Sequence, residues 1–289
     1  MNLAHVQTFL VAVETGNLNK TAAKLNVTQS TVTARIDALE NLIGQKLLRR
    51  NKSGTGLTPA GAKFLRHAEV MVQVWKQARY ETSLPRGFED VCAVGCDPAL
   101  WTGAAELWVN DLRGERSTIA ISVQEGSGDI ARTWQSNAMV DIVFSYTPPI
   151  GAFSVDVMGD DTFIEVATVQ RGLMRWDPLY VYVDLGEDFR RQHAQAYPVE
   201  ETAIVTFTSS THALDHILSR GGSAYLPYRV ARSHIEAGKL FEVEGAARFT
   251  RTIYLARNTA RTDGWPWFEG FSQSFKQKLA LALAPQSTT

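Results

Sequence analysis

The chain has 289 residues, 45% of them hydrophobic and 20% charged, the composition of an ordinary globular protein long enough for two domains or more. No run of 18 apolar residues occurs, which excludes an apolar membrane-spanning helix, and the segment from Met1 to His5 lacks the basic and apolar regions of a secretory signal, so the expected compartment is the cytoplasm. The net charge of −1 hides an asymmetry: residues 1–66 carry nine Lys/Arg against three acids, or +6, and the remainder carries −7, so a polyanionic partner suits only the first quarter.

Leu3, Val6, Phe9, Leu10 and Val13 recur at helical spacing and predict an amphipathic helix over 3–14, ended by Gly16. Asn19 is placed to cap a short second helix, Lys20 to Leu25, whose Ala22 and Ala23 let a neighbour approach closely. After the turn Asn26-Val27, Thr28 caps a third helix to about Leu42 with Val32, Ile36, Leu39 and Ile43 inside. Leu47-Leu48-Arg49-Arg50, a turn at 51–54 and Gly56-Leu57-Thr58 then read as a small basic hairpin. Pro59, with Thr58 as cap, opens a long helix to about Ser83. Phe64, Ala68, Met71, Trp75 and Ala78 form a heptad-like seam on it, which serves either a dimer contact or packing on the chain's own domain. The dimer contact is preferred, because a helix this long between two domains has little else to cover it.

From residue 88 the pattern alternates: strand 91–96, helix 99–113, strand 119–125, helix 127–138, strand 141–146. Such βαβαβ order predicts a parallel sheet with right-handed crossovers. A second set follows, with strands near 162–168, 178–183, 203–207 and 222–226 and helices near 186–196 and 210–219; a closing helix covers 265–283. Two α/β halves joined near 147–160 predict two lobes with a cleft between them. Cys92 and Cys96 sit four residues apart on one strand, roughly 13 Å when extended against the ~7 Å a disulfide allows, so both read as free thiols.

The first sixty residues carry the sharpest functional signal. A helix that reads DNA places short polar side chains at its start against base edges in the major groove, and Gln29, Ser30, Thr31 and Thr33 supply them, with Arg35 near the same face. The hairpin that follows, with Arg49, Arg50 and Lys52, has the charge that phosphate-backbone contact requires. No G-x-S-x-G elbow, phosphate-binding P-loop or G-x-G-x-x-G turn argues for an enzyme, and no cofactor is expected. His212 and His216 stand four apart, a spacing that suits zinc, but no Glu accompanies them in the HExxH sense and no metal is expected. Trp265-Pro266-Trp267 reads as packing.

The run Phe9-Leu10-Val11-Ala12-Val13, then Gly16 to Leu25, Val27-Thr28-Gln29-Ser30-Thr31-Val32-Thr33, Ile36-Asp37-Ala38-Leu39-Glu40, Leu47-Leu48-Arg49-Arg50 and Leu57-Thr58-Pro59-Ala60-Gly61 resembles the LysR-type transcriptional regulators almost without gaps over 3–65. Beyond residue 88 the resemblance is weaker; Gly222 to Pro227 and Ala237 to Leu240 look like the second lobe of these proteins. The resemblance implies a winged helix-turn-helix over 1–58, a dimerisation helix over 59–87, and a two-lobed effector domain like the periplasmic binding proteins over 88–289, with lobe I at about 88–150 and 262–289 and lobe II at about 151–261. It also implies a homodimer assembling to a homotetramer on an interrupted palindrome of double-stranded DNA, a small-molecule effector between the lobes, and RNA polymerase as a further partner. Thr28, Gln29, Ser30, Thr31 and Thr33 fall on the start of the recognition helix and Arg50 on the wing. Ala34 departs from the arginine common there in the family, and Arg35 follows it instead.

By the same mapping the effector candidates are Cys96, Asp97 and Trp101, then Ser127 and Ser145 in the first lobe, and Ser209, Ser210 and Thr211 at a helix start in the second, where hydroxyls and free amides suit an anion. Asp97 stands where many members have Ser or Thr; it either faces a donor or cationic group of the effector or simply caps the helix after it.

Overall fold

The computed structural model describes residues 2–51, 54–84, 86–126, 128, 130, 134, 139–148, 153–174, 177–197 and 203–284. The chain divides into two compact units, Met1–Pro85 and Arg86–Thr289.

In the first unit, helices α1 (Leu3–Thr15), α2 (Leu18–Leu25) and α3 (Gln29–Ile43) precede an antiparallel hairpin, β1 (Leu48–Asn51) and β2 (Gly54–Leu57), and the long helix α4 (Pro59–Thr82). Each boundary has a local cause. Gly16 and Gly44 end α1 and α3 in the left-handed conformation. Thr28 accepts from the Thr31 N–H at 3.2 Å and Thr58 from the Gly61 N–H at 2.9 Å. The cap of α2 is Asn17, which accepts from the amides of Asn19 and Lys20, and not Asn19 as the spacing suggested. Starting the helix two residues earlier puts Leu18 into the core. That core joins Val6, Phe9 and Ala12 to Val32, Ile36 and Leu39, and Leu47 from the loop before β1 completes it. A Cβ at Gly61 would lie 2.0 Å from the Leu47 carbonyl oxygen, so α4 sits closer to this segment than any other residue would permit.

The seam on α4 divides between its two readings. Phe64, Ala68 and Met71 pack on the unit's own core, with Phe64 edge-on to Phe9 at 5.4 Å. Trp75 is 51% exposed and Ala78 is exposed too. Only the second half of the seam is therefore free for another chain.

Among the described residues the second unit is built on one nine-stranded mixed sheet in the order β4-β3-β5-β11-β6-β9-β7-β8, with β10 (Phe241–Glu242) also on β6. Strands β3 (Asp90–Cys96), β4 (Ile119–Glu125) and β5 (Ile142–Ser145) are parallel and form the first lobe. Strands β7 (Tyr180–Val183), β8 (Val205–Phe207) and β9 (Ser223–Pro227) are parallel and form the second. Between them run β6 (Phe153–Ala167) and β11 (Phe249–Asn258), antiparallel over ten residue pairs. The sequence pattern marked only 162–168 of β6 and missed β11, because the first half of β6 is half-exposed (Val157, 50%) and interrupted by Asp156, Asp160 and Asp161. The register of this pair shifts between Ile253 and Tyr254, beside Gly159, whose φ of 150° few other residues tolerate. This is the waist between the lobes.

The expected helix over 99–113 is broken. A 3₁₀ turn (Pro98–Leu100) leads to an irregular segment in which Thr102 (ψ 117°) and Gly103 (φ 74°) leave helical geometry, and α5 (Glu106–Glu115) begins only after it. Most of the segment 127–138 lies outside the described residues. Helix α6 (Glu187–Ala196) and helix α7 (Ser210–Arg220) flank the second lobe, and α8 (Tyr228–Glu236) follows β9 directly. After β11 come the short α9 (Thr259–Thr262) and then α10 (Phe268–Leu283). Trp108 of α5 is fully buried against Phe144, Phe268, Phe271 and Phe275 at centroid distances of 4.6–5.9 Å, which docks α10 on the first lobe. Trp265 stacks on Trp267 and donates to Asp90 at 2.7 Å. Cys92 and Cys96 are free and buried.

Candidate nucleic-acid interface and interlobe site

The start of α3 presents a hydroxyl cluster. Thr28, Ser30 and Thr31 share hydrogen bonds of 2.8–2.9 Å, so the capping group also fixes two of its neighbours. Gln29, Ser30 and Ala34 are exposed, and Thr31 and Thr33 are half-buried. Arg35 is half-buried as well, and its Nη1 donates to Thr8 Oγ1 of α1 at 3.4 Å. That bond links α3 to α1 and leaves part of the Arg35 side chain exposed. On the hairpin Arg49 is exposed. The Arg50 side chain and Lys52 lie outside the described residues.

What holds the hairpin to α3 is a residue to which the sequence reading gave no role. Glu40 is 4% exposed, and its carboxylate accepts from the Leu47 N–H at 2.8 Å, the Leu48 N–H at 3.1 Å and Lys46 Nζ at 2.7 Å. Burial pushes this carboxyl up, but Lys46 and the two amides outweigh burial and hold it below the usual carboxylate range. The available signal was an acid beside Leu39 on the buried side of α3.

In the second unit the first-lobe candidates converge at the carboxyl ends of the parallel strands. Cys96 is paired with Phe144 and Glu125 in register; the Asp97 N–H donates to Phe144 O at 2.9 Å and the Gly126 N–H to Cys96 O at 3.0 Å. Asp97 accepts from the Ala99 N–H at 3.0 Å and so caps the 3₁₀ turn. Its burial pushes its carboxyl up against the pull of Arg251 and Arg229. Burial likewise raises the Cys96 thiol, whose Sγ lies 3.0 Å from Asp97 O, so it is no nucleophile. Ser145 accepts from the Thr147 N–H at 3.0 Å, and Trp101 is half-buried. Ser127 lies outside the described residues. Ser209, Ser210 and Thr211 form a second cluster at the carboxyl end of β8, where Ser209 caps α7 and shares a 2.9 Å hydrogen bond with Thr211, and Ser210 is buried.

Three charged residues that the sequence reading did not single out lie beside the first-lobe candidates. Arg251 of β11 donates to Leu185 O at 2.5 Å, and its guanidinium lies 4.0 Å over the Tyr146 ring. Arg229 of α8 and Asp161 of β6 are paired at 3.0 Å, each with only 1% of its side chain exposed. Asp161 accepts from Tyr146 as well, and its Oδ1 is buried without a hydrogen-bond partner. Burial opposes the charge on Arg229, but Asp161 and Tyr146 outweigh it and the guanidinium stays protonated.

Residues 3–62 match the family described as bacterial regulatory helix-turn-helix proteins, lysR family. The whole chain is similar to regulators named HdfR: 27% identical to that of Escherichia fergusonii, over 88% of this chain and 91% of the relative, and 24% identical to that of Yersinia enterocolitica, over 91% and 93%. In fold it is similar to CbnR, a LysR family transcriptional regulator, crystallised full-length with its target DNA (TM-score 0.70, 16% identity, 96% of this chain and 100% of that one). It is also similar to Vibrio fischeri DarR in complex with DNA (TM-score 0.57, 19% identity, 96% and 98%). The capped α3, the hairpin tied to it through Glu40, the two-lobed α/β body and these likenesses agree: residues 3–62 are a helix-turn-helix of the lysR family, and the chain as a whole is similar to HTH-type transcriptional regulators and shares the fold of LysR family regulators.

Proposed function

We propose that the chain reads an interrupted palindrome in double-stranded DNA through Thr28, Gln29, Ser30, Thr31 and Thr33, with Arg35, Arg50 and Lys52 supplying charge, and that a small effector bound between the lobes controls it. The observation that carries this reading is the exposed start of α3, Gln29 and Ser30, within a segment that matches the LysR helix-turn-helix family over residues 3–62. In this reading residues 1–58 are the reading head, 59–87 the dimerisation helix and 88–289 the effector body, whose lobe I comprises about 88–150 and 262–289 and lobe II about 151–261. The exposed Trp75 and Ala78 supply the contact that joins two chains, and dimers pair into tetramers. The effector lies against Cys96, Asp97, Trp101, Ser127 and Ser145 on one side and Ser209, Ser210 and Thr211 on the other, and shifts the population of lobe arrangements. That shift alters the spacing of the reading heads, the bend of the DNA and access of RNA polymerase in the cytoplasm.

The test is affinity sequencing of genomic fragments bound by the purified protein at physiological salt. Enrichment of an interrupted palindrome beside a few promoters supports the reading, and the neighbouring genes then nominate the effector. A folded, oligomeric protein that enriches no sequence refutes it.

A further inference from the structure

Arg229 is the second residue of α8, on the second lobe, yet most of its partners belong to the first. Its Nε donates to Asp161 at 3.1 Å, its Nη2 to Ala99 O at 2.5 Å and to the Tyr146 hydroxyl at 3.0 Å, and its Nη1 to Thr102 O. Those two carbonyls lack their regular helical partners because the helix is broken there. In a regular helix Ala99 O and Thr102 O would accept from the amides of Gly103 and Glu106. Here the Gly103 N–H points to Glu106 Oε2 at 3.5 Å and the Glu106 N–H bonds Trp101 O. The break depends on Gly103, which has a φ of 74°, and a Cβ there would lie 3.5 Å from Arg229 Cβ. Tyr146 follows β5 of the first lobe, and Asp161 lies two residues past Gly159 at the waist. A planar guanidinium with five N–H groups suits such a convergence of carboxylate, hydroxyl and two carbonyls; an ammonium does not.

We propose that Arg229 is a built-in interlobe latch: its guanidinium fills from within a site formed by Asp161, Tyr146 and the carbonyls of Ala99 and Thr102, and holds the two lobes together without any small molecule. The proposal stands independently of the effector reading, since every group in it belongs to the chain. The lobe arrangement is then set by the protein itself, and an effector acts on a body that is already latched.

The experiment uses the full-length protein with spin labels on Arg116→Cys of the first lobe and Lys239→Cys of the second, both exposed positions, while the buried Cys92 and Cys96 are shielded from the label. Pulsed electron-spin distance measurement is expected to give one narrow interlobe distribution for the otherwise native chain. In Arg229→Ala the distribution lengthens and broadens, and the thermal midpoint falls by roughly 5–15 °C. Millimolar methylguanidinium, which fits the vacated site, restores the narrow distribution to this variant; methylammonium at the same concentration does not. A folded Arg229→Ala protein with the native distribution overturns the latch. So does a broadened one that methylguanidinium leaves unchanged, because the arginine then merely fills a core. Should Arg229→Ala fail to fold, Arg229→Lys decides: it keeps the charge and loses the fork, so a lengthened distribution supports the latch and a native one overturns it.

Discussion

Glu40 and Glu165 are both buried carboxylates, one in each unit, and their surroundings move them in opposite directions. Glu40 receives two backbone amides and Lys46 in direct hydrogen bonds and is held below the ordinary carboxylate range. Glu165, on β6, is pushed up to about 6, mainly by burial; Arg171, 3.8 Å away, pulls it down, but that cation is shared with Asp177 at 2.5 Å. Burial alone therefore says little about a charge. What decides is whether the donors outweigh burial, as at Glu40, or fall short of it, as at Glu165, where Arg171 and Ser223 are shared with Asp177.

The largest test of this contrast is the fully buried pair of the second unit. Asp161→Ala strands Arg229 among carbonyls without its counter-charge, and a loss of about 3–5 kcal/mol is expected. Urea unfolding followed by tryptophan fluorescence measures it. A loss near zero would mean that the carbonyl partners alone satisfy the guanidinium.

Glu40→Ala is next. It leaves the amides of Leu47 and Leu48 unpaired, at a cost of about 1–3 kcal/mol for each group that stays buried. It also frees the hairpin from α3, so DNA affinity should fall further than stability does. Its pH dependence has a definite sign. Because the folded value is depressed, Glu40 stabilises above about 4.5, the ordinary value, and this contribution is lost as pH falls through the folded value.

Glu165 should behave oppositely. The folded protein keeps this proton up to about pH 6, against 4.5 for the ordinary group. Stability is therefore fully present below about 4.5 and falls on the order of 2 kcal/mol as pH rises through 6. Glu165→Gln should abolish that slope, and denaturation midpoints at pH 4.5 and 7 would show it. A variant that keeps the slope would place its origin elsewhere.

The smallest effect concerns the free half of α4. Trp75→Ala removes an exposed indole, so the stability of the first unit should stay within about 0.5 kcal/mol. Dimer dissociation measured by sedimentation should strengthen about tenfold. The reverse outcome, a destabilised unit with unchanged association, would assign Trp75 to the unit's own core beside Phe64 and Met71.

The two units also differ in how much of them could be read from the chain. In the first unit the signals are local. The caps Thr28 and Thr58 act three residues ahead, Gly16 and Gly44 end the helices they follow, and the buried positions recur with the helical period. One local error, Asn19 for Asn17, arose because two asparagines were equally able to cap, and the choice fell to the burial of Leu18. The hydrogen bond of Arg35 to Thr8, by contrast, crosses 27 residues and has no local signal. Glu40 was missed because its partners lie beyond the helix that carries it.

By itself, then, the sequence determined the helix-turn-helix, the caps Thr28 and Thr58, the hairpin and most of the alternation of strands and helices behind it, because each of these rests on groups a few residues apart. Only the tertiary structure decided the full length of β6, its pairing with β11, the break at Thr102 and Gly103, and the meeting of Arg229 with Ala99 across 130 residues. The physical reason is that these features form only when distant segments are brought together. A polar residue on a strand or a missing turn in a helix then becomes favourable through partners that no local period reveals.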